Sequence, residues 1–141
     1  MQIKFLNVTP PEAIQIIIET MNEGYELLDK IRREFMEDKS GAAAKSKIWD
    51  QWYIDWMNRT LEKLLRIYAE PSRAYNFREK IVQRMSMTSD NAYTPFEHTF
   101  DVKIGILWGY YNFIMTRSSV TITINGNISF QQGENLSNEQ K

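Results

Sequence analysis

The sequence predicts a mainly α fold, an antiparallel bundle of about four helices with a short C-terminal β-hairpin. Three observations lead there. Apolar residues recur at three- and four-residue steps through most of the chain. Thr-Pro-(Pro/Phe)-Glu punctuation of the capping-box type stands at Thr9 to Glu12 and again at Thr94 to Glu97. After Arg117 the apolar period switches from 3.6 to 2.

The first helix opens at Thr9, where a capping hydroxyl is followed by prolines suited to a first turn and by Glu12 three residues on. Ile14, Ile17, Ile18, Met21, Tyr25, Leu28, Ile31 and Phe35 then form one stripe about six turns long. Residues 39–46 interrupt it, although their alanines favour helix. The second helix is expected from about Ser46 to Ala69, because Pro71 pushes the residue before it out of helical geometry. Its inward stripe is Trp49, Trp52, Tyr53, Trp56, Thr60, Leu64 and Ile67. Ser72 is placed to cap a third, shorter helix carrying Ala74, Phe77, Ile81 and Met85 on one side, and residues 86–93 lack periodicity and read as a loop. The fourth helix runs from Thr94 to about Arg117 on Phe100, Ile104, Leu107, Tyr111 and Ile114. Gly105 and Gly109 lie four apart on it and leave a smooth strip for another helix, each at a cost of about 1 kcal/mol relative to Ala.

Val120, Ile122 and Ile124 alternate with threonines before Asn125 and Gly126. A three-residue Asn-Gly-Asn turn pairs Ile124 with Ile128 and Ile122 with Phe130, which gives the hairpin (residues 119–131) a single apolar face. An isolated hairpin is marginal in water. This one is expected to dock on the helices, to pair with Ile3 to Phe5, or to pair with another chain. Residues 1–131 read as one domain and residues 132–141 as a polar tail.

At 141 residues the chain is long enough for one filled core, burying about 68–70% of its unfolded surface. Its hydrophobic content of 43% and charged content of 25% are those of ordinary globular proteins, whereas 13% aromatic residues is high. A net charge of −1 gives no long-range attraction to nucleic acid or an anionic membrane. The charge is unevenly spread: residues 59–84 carry seven Lys/Arg against three Asp/Glu, between two acidic stretches. The absence of cysteine excludes a disulfide framework, a thiolate nucleophile and a cysteine zinc site. With no signal-like or membrane-length apolar run, a soluble cytoplasmic protein is expected, with no membrane partner, no specific nucleic acid, no cofactor and no metal.

No catalytic constellation emerges, and an enzyme is not expected. His98 is the only histidine; with Asp101 it makes a two-ligand helical pair lacking a third. No nucleophile elbow or phosphate-cradling glycine loop occurs. A ribonuclease of the HEPN type needs an arginine a few residues before its histidine, whereas Arg84 stands fourteen positions from His98. The constellation that stands out is on the second helix. A helical wheel puts Trp52, Trp56, Arg59 and Lys63 along the basic edge of the apolar stripe, where aromatic and cationic groups together suit a flat or anionic ligand or a partner surface.

Trp52, Trp56, Arg59, Thr60, Leu64, Ile67 and Tyr68, then Ser72 and Phe77, then Gly105, Ile106, Leu107 and Gly109 together resemble a helical accessory domain of bacterial proteins. In that family the domain stands beside TIR-like or other effector modules of antiviral and conflict systems. The resemblance covers about residues 46–117 and implies a sensing or assembly role, an association with function rather than a chemical argument. The sequence thus favours a non-enzymatic interaction module of a bacterial defence or stress system. It would bind a protein partner or a second copy of itself through Gly105, Gly109, Ile122 and Ile124. A small anionic, nucleotide-like ligand at Trp52, Trp56, Arg59 and Lys63 is the alternative, and HEPN-like ribonuclease chemistry is a further one.

Overall fold

A computed structural model of the chain describes residues 5–80 and 92–118. Four helices make up nearly all of it: α1 (Pro10–Glu37), α2 (Ala42–Ile67), α3 (Ser72–Glu79) and α4 (Thr94–Ser118). The expected hairpin with Ile122 and Ile124, the polar tail, Arg84 and most of the loop before Tyr93 lie outside the described residues. Among the described residues, β pairing is confined to a single antiparallel bridge between Leu6 and Tyr68.

The N-terminus of α1 is built as its sequence indicates. The Thr9 hydroxyl accepts from the Glu12 backbone N–H at 3.3 Å, and the prolines occupy the first two helical positions, where an N–H would go unpaired. At the other end Asp38 makes the turn. Its Oδ1 accepts from the Gly41 N–H at 3.1 Å and the Ser40 hydroxyl at 3.0 Å, which holds its carboxyl below the usual range. The interruption is therefore shorter than the spacing predicts. Ala42 to Ala44, strong helix formers, belong to α2, so that helix begins four residues before Ser46.

α2 ends at Ile67 rather than Ala69: Tyr68 is already extended (φ −92°, ψ 138°) and uses its backbone in the bridge to the N-terminal segment. Asn7 N–H donates to Ile67 O at 2.7 Å and Ala69 N–H to Phe5 O at 3.1 Å. Phe5 thus pairs with the α2–α3 connection. α3 has only 8 residues, Pro71 and not Ser72 holds its cap position, and no side chain caps it. An isolated helix of that length is unstable in water, so α3 depends on what it packs against.

The pairs Thr20–Trp56 and Glu34–Trp49 step in opposite directions along α1 and α2, which are therefore antiparallel. Phe35–Tyr93 and Gly24–Ile104 show the same for α1 and α4. α1 packs most extensively on α4, and α2 on both α1 and α3. The core's centre is Trp56, which has no solvent exposure. Its indole N–H donates to Thr20 O at 3.1 Å, and its ring meets Phe100 at 5.3 Å, Phe77 at 6.1 Å and Tyr53 at 6.3 Å. Such a side chain contributes on the order of 1.5–3 kcal/mol by burial alone, and edge-on aromatic pairing adds to it. The indole fits because position 24 is glycine: a Cβ there would lie 2.7 Å from Trp56 Cζ2 and 3.1 Å from Ile104 Cδ1.

Candidate functional site

The aromatic and basic residues singled out on α2 separate in three dimensions. Trp56 is in the core and not at the stripe's edge, because α3 and α4 together wrap the side of α2 that a single-helix wheel leaves open. Trp52 is half-buried at the α1 boundary, with the Lys30 ammonium 4.2 Å from its ring centroid. Arg59 is exposed and pairs with Glu23 on α1 at 3.3 Å rather than with Asp55, which accepts from Gln51. Lys63 is half-buried on the same side. Glu23, Glu26, Leu27, Lys30, Arg33 and Arg59 line a shallow open groove between α1 and α2. Two carboxylates among three cations leave that groove with little net attraction for an anion.

The outer face of α4 is of a different kind. Gly105 and Gly109 are exposed, and a Cβ at either would meet nothing within 4 Å, so no other helix of the described chain covers them. Half-buried Val102 and Ile106 flank this strip on one side and half-buried Trp108 and Met115 on the other, while exposed Asn112 and Thr116 continue it. From Ile104 to Thr116, thirteen residues pass without a charge. A surface helix ordinarily carries a charged or strongly polar outer face.

Behind that face is a residue the apolar pattern conceals. Lys103 is 1% exposed, and its ammonium donates to Phe77 O at 2.5 Å, Lys80 O at 2.9 Å and Arg78 O at 3.2 Å. These carbonyls end α3, the negative pole of that helix, and Lys103 closes them from α4 as a C-terminal cap supplied by another element. Burial, with the nearby Lys80 charge, lowers the Lys103 pKa to about 8. It is protonated at neutral pH.

A second polar arrangement sits where the N-terminal segment, α3 and the end of α4 meet. The Arg73 guanidinium lies 4.5 Å from the Phe113 ring centroid, 5.2 Å from Phe5 and 5.7 Å from Tyr68. Arg117 lies 5.2 Å from Phe113 and 5.5 Å from Phe5. Tyr110 donates to Arg73 O at 2.7 Å and fixes the backbone from which that side chain projects. Tyr68 is 2% exposed and its hydroxyl has no hydrogen-bond partner among the described residues; burial raises its pKa, and the Arg73 charge opposes that rise.

His98 is exposed on the first turns of α4. Asp101, held above the usual carboxylate range by burial and by Glu97, lies one turn on. Among the described residues no third His, Cys, Asp or Glu joins them as a metal-binding group, and no helix is long and apolar enough to cross a membrane. No family model, curated protein sequence or solved structure matches the chain.

Proposed function

We propose that this protein is a non-enzymatic helical assembly module that associates with a second copy of itself through the outer face of α4. The observation that carries the reading is the uncharged run from Ile104 to Thr116, with Gly105 and Gly109 open to solvent between half-buried apolar flanks. Glycines four apart let two helix backbones approach closely, and their flanking side chains then supply the ridges that fill the neighbour's grooves. A strip of this kind is self-complementary about a two-fold axis. It carries no charge to repel its own copy, which favours a like partner over a charged surface. The resemblance to accessory domains of bacterial conflict proteins suggests the setting, in which self-association of such a module would bring neighbouring effector domains together.

The test is light scattering or sedimentation over a range of concentrations, with Gly109→Arg as the disrupting variant. Open space at position 109 lets the arginine be accommodated in the monomer. The expected result is concentration-dependent dimerisation that Gly109→Arg abolishes without loss of helicity. A wild-type chain that stays monomeric at the highest concentration reached rules the proposal out.

A further inference from the structure

We infer that Arg73, Arg117 and Tyr68 form a seat for a phosphate-class oxyanion, at the end of the bundle away from the α1–α2 groove. The seat does not depend on the assembly face. Both guanidinium groups lie against the rings of Phe5 and Phe113. Stacking of that kind fixes the plane of a guanidinium while leaving its N–H edge available for paired bonds to an oxyanion. Among the described residues neither arginine has a carboxylate within ion-pair distance. Two cations drawn to the same two rings repel each other, and an anion between them would reverse the sign of that interaction.

The Tyr68 hydroxyl supplies the second observation. A buried hydroxyl with no acceptor among the described residues is unusual and costs free energy. The Arg73 guanidinium lies 5.7 Å from the centroid of the Tyr68 ring, so an oxygen bound at Arg73 is the natural acceptor. Arg117 is exposed, Arg73 half-buried and Tyr68 buried, an order that runs from rim to floor. Two guanidinium forks and a hydroxyl offer more donors than one carboxylate can use, which points to the three or four oxygens of inorganic phosphate or a small phosphate monoester.

The experiment titrates the full chain with inorganic phosphate, following the thermal midpoint and the Arg Nε–H resonances, with acetate and sodium chloride at matched ionic strength as parallel arms. The expected result is a saturable rise in midpoint with phosphate, with shifts at Arg73 and Arg117, and little response to acetate. Arg117→Gln should weaken apparent affinity at least tenfold while leaving the fold intact, because that side chain is exposed. Tyr68→Phe should raise the midpoint of the free protein, by removing the unpartnered hydroxyl, and weaken phosphate binding several-fold. An equal response to chloride would mean screening of two guanidiniums and nothing more, and would overturn the inference. So would a phosphate response that Arg117→Gln and Tyr68→Phe leave unchanged, and a response to acetate as large as that to phosphate would overturn the ligand class.

Discussion

Replacing Lys103 by methionine gives a sharp test of how the short helix is held. Methionine nearly matches the lysine stem in volume, so packing in α4 is preserved while three carbonyls of α3 lose their donor. Hydrogen bonds to a charged group are worth about 1.5–3 kcal/mol each, but they share one ammonium here, and the variant no longer desolvates a charge. The net cost expected at pH 7 is about 2 kcal/mol, concentrated in α3. The pH dependence is the more telling part. The folded chain releases the Lys103 proton near pH 8, whereas the unfolded chain holds it to about 10.5. Between those values the unfolded state binds more protons, so this residue makes stability rise with pH. A shift from 10.5 to about 8 corresponds to about 3 kcal/mol at most, since the three carbonyls favour the ammonium and reduce the effect. Lys103→Met lacks that rise. Urea unfolding of both proteins from pH 7 to 10.5 should therefore show their stability difference widening above pH 8. Tyr68, Tyr93, Tyr110 and Tyr111, all raised by burial, act in the opposite sense near pH 10 but equally in both proteins, so they cancel in the difference. Parallel curves across this range would refute the assignment of the titration to Lys103.

Four further substitutions probe the packing and the cap of α1. Gly24→Ala is expected to destabilise by about 1–3 kcal/mol despite the better helix propensity of alanine, because the new methyl meets the Trp56 indole. In contrast, Gly105→Ala should raise the stability of the monomer by about 0.5–1 kcal/mol, as its methyl meets nothing; thermal denaturation at low protein concentration compares the two, and equal effects would contradict the geometry. Thr9→Ala removes the hydroxyl that caps α1 and should cost about 1 kcal/mol, with increased amide exchange confined to the first turn. Trp56→Phe should cost about 1–3 kcal/mol through lost volume and the lost bond to Thr20 O, read by chemical denaturation; a neutral outcome would place Trp56 outside the core.

What the sequence disclosed, and what it withheld, follows from the range of the interactions involved. The Thr9 cap, the α1 stripe and the start of α4 depend on neighbours within one or two turns, and each was readable from spacing. The boundary at Ala42 depends on an Asp38 side chain folding back on the next turn, a competition that composition alone leaves undecided. A wheel misplaces Trp56 because it describes one helix, whereas the burial of that side chain is decided by α3 and α4. The apolar pattern of α4 hides Lys103. Its position one residue before Ile104 and four before Leu107 puts it on the buried face of α4, and a lysine there is a signal in itself: it must find acceptors. The Arg73 and Arg117 cluster joins segments more than forty residues apart, and local pattern carries no information on such a meeting. The strip at Gly105 and Gly109 was legible as a strip, but its exposure was not.

The contact between Gly24 and Trp56 also bears on how this chain can diverge. The two positions hold a fixed total volume between three helices, so neither can change freely while the other stays the same. A homologue with alanine or serine at 24 should carry a smaller ring at 56 or a shorter side chain at 104, and one that keeps tryptophan at 56 should keep glycine at 24. The Gly24→Ala, Trp56→Phe double substitution would therefore lose less than the sum of its parts. Correlated size at these positions offers a search criterion for distant relatives, one that depends on shape rather than on residue identity.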